Sequence, residues 1–130
     1  MITLDASVVI AYLSPKDPHH RVAADYLYVS AGDAFLIHSL NLAEVLVGGV
    51  RIGRGDEMLA DLEAIGVQVA ERQDGEPLRL ATLRARSGLK LPDCCALDTA
   101  LTTSSTLATF DQALAEVARQ HHLTVATDLG

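Results

Sequence analysis

Short β-favouring runs alternate with longer segments of helical periodicity along the chain, and this alternation is the strongest constraint on what it can fold into. The β-favouring runs cover residues 1–5, 34–38, 67–70, 106–109 and 123–126. Between them apolar residues recur at helical spacing over 6–13, 17–30, 41–53, 56–65, 76–86, 93–101 and 111–120. Strands separated by helices cannot pair as hairpins, so crossover connections force parallel pairing with helices on both faces. The expected fold class is α/β: a three-layer α/β/α sandwich with a central, mostly parallel sheet of four to five strands. One domain is expected over residues 1–130.

Local punctuation supports these boundaries. Asp17-Pro18 offers an N-cap followed by proline at the first helical position, and Asn41-Leu42-Ala43-Glu44 has the spacing of a capping box. Gly32 and Ser87-Gly88 are stop signals for the segments before them.

Composition narrows the function. Apolar residues make up 49% of the chain and charged residues 21%, which excludes disorder. There is no Trp, with three Tyr and two Phe, so no set of aromatic platforms for stacking single-stranded bases is expected. A formal charge of -7 argues against grip on nucleic acid by general attraction. The imbalance is uneven, because the only charges between Pro77 and Pro92 are Arg79, Arg84, Arg86 and Lys90. These residues form either a basic lip for phosphates or an ordinary solvated helix face. The two cysteines, Cys94 and Cys95, are adjacent and suit neither a disulfide framework nor a zinc site, and they are expected as small core residues. A cytoplasmic protein with no membrane segment is expected, since no apolar run is long enough to span a bilayer.

Four acids fall where chemistry is expected in such a fold. Asp5 and Asp111 stand where a strand's carboxyl end meets the next helix, and Glu44 and Asp93 are read in the first turn of helices. In open α/β sheets the ligand crevice lies beyond the carboxyl ends of the strands, so these distant residues can converge. Each acid alone could be only a helix cap. Four together raise one another's pKa and cost stability unless a cation neutralises them, and oxygen-only ligation suits Mg²⁺ or Mn²⁺. Phosphodiester hydrolysis is the chemistry that such a site favours.

These residues resemble the PIN-domain nucleases, and among them the VapC toxins of toxin-antitoxin (VapBC) pairs. Ile2-Thr3-Leu4-Asp5-Ala6-Ser7 resembles the family's opening strand and first acid, and Leu42-Ala43-Glu44-Val45-Leu46 its glutamate helix. Leu91-Pro92-Asp93 is similar to the third acidic site and Thr109-Phe110-Asp111 to the Thr-x-Asp ending. The resemblance implies a divalent-metal endoribonuclease acting on single-stranded or looped RNA, commonly a homodimer, and restrained by a cognate VapB-like antitoxin. Carried over by position, Asp5, Glu44, Asp93 and Asp111 would bind metal, and Ser7 and Thr109 would orient the carboxylates, local capping being the alternative for these two hydroxyls.

Two positions depart from the family pattern. Asp98 stands where a small residue is usual, and five residues along a helix it points about 140° away from Asp93. It is expected as a surface charge, with an extra site acid as the alternative. Leu114 replaces a common Phe, a matter of packing. The pairs His19-His20 and His121-His122 are expected at the solvated surface, and the glycines make no phosphate loop. A non-catalytic module of the same fold remains the competing reading. An aspartate-phosphorylated protein does not, because Ser7 stands where a phosphatase wants Asp and the only lysines are Lys16 and Lys90.

Overall fold

The computed structural model describes residues 1–126. In chain order the elements are β1 (Ile2–Leu4), α1 (Ala6–Leu13), α2 (His20–Val29), β2 (Phe35–Ile37), α3 (Ser39–Arg51) and α4 (Gly55–Ala64). They continue with β3 (Val67–Val69), α5 (Glu76–Ser87), α6 (Leu91–Thr103), β4 (Thr106–Ala108), α7 (Gln112–Gln120) and β5 (Val125–Ala126). The five strands form one parallel sheet in the order β3-β2-β1-β4-β5. β1 is central, and the chain winds outward through β2 and β3 before crossing to β4 and β5 on its other side. The strand order therefore reverses between β1 and β4, the place where a parallel sheet opens a crevice.

Strand alternation divides the core between the two faces. Ile2, Leu4, Phe35, Ile37 and Val67 pack with Val8, Val9, Ala23, Leu27, Leu42, Val45 and Leu62 from α1 to α4. Leu107 turns to the opposite face and joins Leu83, Leu97, Ala100, Leu114 and Ala118 from α5 to α7. The result is the α/β/α sandwich expected from the sequence.

Helix α6 is buried over every residue from Cys94 to Ala100. A helix that is apolar nearly all round belongs inside a protein, and the free cysteines Cys94 and Cys95 fill that interior as expected. Gly88, at φ 75, ends α5 in the left-handed region that glycine adopts without penalty, and lets the chain turn into Leu89 and Lys90 ahead of α6.

Three helix starts differ from expectation by two residues or more. Asp17 accepts from the His19 N–H at 2.8 Å, so Asp17-Pro18 builds a turn and α2 opens at His20. Helix α3 opens two residues before Asn41, because His38 Nδ1 accepts from the Leu40 N–H at 3.0 Å and takes the cap. Glu44 consequently lies in the second turn, and Asn41 is a buried helical residue rather than a cap. Helix α6 opens at Leu91, two residues before Asp93.

Candidate active site

Asp5 follows β1 directly and occupies the N-cap position of α1, yet its side chain caps nothing. Its Oδ2 instead accepts from Ser7 Oγ at 2.7 Å and from Thr109 Oγ1 at 2.8 Å. Each hydroxyl is fixed in turn by a backbone N–H: Phe110 donates to Ser7 Oγ at 3.1 Å and Asp111 donates to Thr109 Oγ1 at 2.9 Å. Both hydroxyl protons are thus committed to one carboxylate oxygen. The relay ties the β1–α1 junction to the β4–α7 junction, and among the described residues Asp5 Oδ1 accepts no hydrogen bond.

Asp111 does cap its helix, its Oδ1 accepting from Ala113 and Leu114 at 2.9 and 3.1 Å. That occupies one oxygen and leaves Oδ2 without a partner among the described residues. Asn41 Nδ2 donates to the Pro92 carbonyl at 2.9 Å and reaches Glu44 Oε1 at 3.4 Å, holding α3 against the start of α6. The sequence read Asn41 as a cap. Its place three residues before Glu44, on the same helix face, was the available signal for this bracing role.

Glu44, Asp93 and Asp111 line one cleft with Lys90, Pro92 and the 88–89 turn. Asp5 is buried beside it at 5% exposure. Asp93 makes no side-chain hydrogen bond among the described residues, and its carboxyl is pushed up to about 6. Burial is the main cause, followed by the negative charges of Asp5, Asp111 and Glu44, with Lys90 acting in the opposite sense. Asp93 therefore feels the other three carboxylates, although no three His, Cys, Asp or Glu side chains among the described residues are close enough to form a ready-made metal cage. The donor set still fits a hard divalent cation, since it is oxygen-only and keeps free carboxylate oxygens on Asp5, Asp93 and Asp111. A cation would have to draw these oxygens inward.

Asp98 is not the surface charge expected. It is 4% exposed, and Arg79 grips it through two bonds of 2.8 and 3.1 Å. The reason is that α5 packs against α6 and its Arg79 lies over Asp98. Arg79 is thereby removed from the supposed basic lip, and Arg84 is likewise committed to the Leu89 carbonyl at 2.7 Å. Lys90 alone of the four lines the acidic cleft. Of the histidines, His19, His121 and His122 are exposed as expected, while His20 is half-buried with Nδ1 against the Ala11 carbonyl.

The fold and these acids define a class: α/β sandwiches with carboxylates gathered at the carboxyl edge of a parallel sheet. Within it the chain belongs to the PIN domain family, which matches residues 2–120. PIN-domain nucleases are hydrolases of phosphodiester bonds and generally use divalent metals. The fold is similar to a toxin-antitoxin complex from Klebsiella pneumoniae, with TM-score 0.70 and 22% identity over 85% of this chain and 87% of that one. It is also similar to VapBC2 from Rickettsia felis bound to a DNA fragment from their promoter, at TM-score 0.68 and 19% identity over 97% and 98% of the two chains. VapBC-1 from nontypeable Haemophilus influenzae matches at TM-score 0.67 and 19% identity over 97% of each chain. Comparison with curated proteins finds no match. No helix among the described residues is long and apolar enough to cross a membrane.

Proposed function

We propose that this chain is a Mg²⁺- or Mn²⁺-dependent endoribonuclease, the VapC-type toxin of a toxin-antitoxin pair, in which Asp5, Glu44, Asp93 and Asp111 hold the metal. The observation that carries the reading is the cleft that Glu44, Asp93 and Asp111 line together beside the buried Asp5, with Lys90 at its rim. Carboxylates are not gathered in this way without a use for the charge. When bound, the cation supplies charge to the phosphodiester and acidifies the attacking water. The chain's own residues prepare for it. Ser7 and Thr109 fix the Asp5 plane so that Oδ1 stays available, the Asp111 cap leaves Oδ2 free, and Asn41 braces Glu44. Lys90 brings positive charge to the rim where a phosphate would enter.

The similarity to toxin-antitoxin complexes supports a VapB-like antitoxin as partner. Leu40, Val47 and Val50 lie 42%, 45% and 66% exposed along one face of α3, an apolar stripe that supports a homodimer. Calorimetric titration with Mn²⁺ tests the metal reading together with cleavage of single-stranded RNA. Heat and cleavage are expected from the native chain, and both are expected to be lost in Asp5→Asn. Identical behaviour of the two proteins, without heat or cleavage, would leave only a non-catalytic binding module.

A further inference from the structure

His19 does more than decorate the surface. Its ring lies on the Phe110 ring with centroids 4.3 Å apart and planes only 14° from parallel. Phe110 is the residue between Thr109 and Asp111, half-buried against the core, and its N–H is bonded to Ser7 Oγ. Along the chain Phe110 directly precedes Asp111, one of the four site acids. The histidine is fixed from its own side as well. Asp17 holds the His19 N–H, and the neighbouring His20 ring is held at 2.9 Å from the Ala11 carbonyl. One face of the imidazole is covered by Phe110, and the residue remains exposed.

A flat aromatic surface stacked on the side chain of Phe110, whose own backbone is bonded to the Ser7 hydroxyl beside Asp5, has an evident ligand. Unpaired RNA bases are recognised by stacking on aromatic and histidine rings, and any base has the π-face required. This chain has particular need of such a contact, because a net charge of -7 gives no general attraction for the backbone and two of the four basic residues near Asp93 are already committed. We propose that His19, supported by Phe110, is a stacking platform for one unpaired nucleobase next to the scissile phosphate. The proposal rests on the ribonuclease reading of the acid site and adds to it a base-binding subsite.

The test uses the full chain and short single-stranded RNAs carrying the fluorescent base 2-aminopurine, or an abasic residue, at successive positions. At one position the analogue is expected to be quenched on binding, and His19→Ala is expected to abolish that quench and raise KM roughly tenfold or more. His19→Tyr, which keeps the ring, is expected to restore both. An abasic residue at that position is expected to weaken binding by the native chain as much as His19→Ala weakens binding of the base-bearing RNA, so the two losses should not add. If His19→Ala binds and cleaves every RNA as the native chain does while Asp5→Asn cleaves none, the platform is refuted and the nuclease reading stands. If the native chain neither binds nor cleaves RNA with Mg²⁺ or Mn²⁺, both are refuted.

Discussion

Helix α6 carries two aspartates five residues apart whose surroundings are opposite. Asp98 is 4% exposed and gripped by the Arg79 guanidinium, so its charge is answered inside the protein. Asp93 is less buried, has no hydrogen-bond partner among the described residues, and faces three further carboxylates. A second paired group lies near Asp98. His38 Nδ1 accepts from the Leu40 N–H, so a neutral ring carries its proton on Nε2 and can donate it to Glu76 Oε1 at 3.2 Å. Burial by itself therefore does not mark a functional acid. What separates the two is whether the protein supplies a partner, and at Asp93 it supplies repulsion.

Exchanging each aspartate for asparagine sharpens this contrast. Asp93→Asn is expected to lower the RNA cleavage rate by about a thousandfold, the equivalent of the several kcal/mol that a metal site contributes to phosphoryl chemistry. The fold should survive. Asp98→Asn is expected to keep cleavage within a few fold while lowering unfolding stability by about 1–2 kcal/mol, because Arg79 keeps a neutral acceptor but loses its ion pair. Single-turnover cleavage and urea denaturation of both variants check this. The contrast fails if Asp98→Asn loses as much activity as Asp93→Asn.

The relay around Asp5 offers a smaller break. Thr109→Val keeps the shape but removes one of two protons donated to Asp5 Oδ2 and strands the Asp111 N–H. Activity is expected to fall about 10- to 100-fold, the usual cost of losing a group that orients a metal ligand. Weaker Mn²⁺ affinity by calorimetry should accompany the loss. An unchanged affinity and rate would return Thr109 to a plain turn residue.

Much of this was legible in the sequence because local chemistry dictates it. The alternation of strand and helix requires a parallel sheet, and Asp5 and Asp111 stand at strand ends where any α/β sheet places its crevice. What escaped was set by tertiary context. Asn41 and Glu44 have capping-box spacing, but His38 supplies the cap, and histidine's acceptor nitrogen is invisible to a pattern built on Ser, Thr, Asp and Asn. Helical angle alone sends Asp98 to solvent, an argument that fails where the neighbouring α5 covers the middle of α6. The apolar, uncharged stretch on either side of it and the lone Arg79 on the preceding helix were the clue. The His19–Phe110 stack joins residues 91 positions apart, which no local pattern reports.

The smallest effect, and the most direct measure of the contrast, is the dependence of stability on pH. The Asp93 carboxyl is raised in the folded chain from 3.8 to about 6, so folding favours its protonated form. The sign follows: this contribution is fully present below about pH 4 and is lost as pH rises through about 6 in metal-free protein. At 1.36 kcal/mol per pH unit the ceiling is about 3 kcal/mol, and partial exposure screens it to about 1 kcal/mol. Asp93→Asn should therefore be more stable than the native chain near pH 7 by about that amount and no more stable near pH 4. Excess Mn²⁺ should reverse the order near pH 7, since metal ligation requires the deprotonated carboxylate and stabilises only the folded chain that offers it. Urea midpoints of the two proteins, with and without Mn²⁺ across this range, measure the effect. If their difference stays flat with pH and indifferent to Mn²⁺, Asp93 is as well answered as Asp98, and the acids at the carboxyl edge of the sheet have no shared cation.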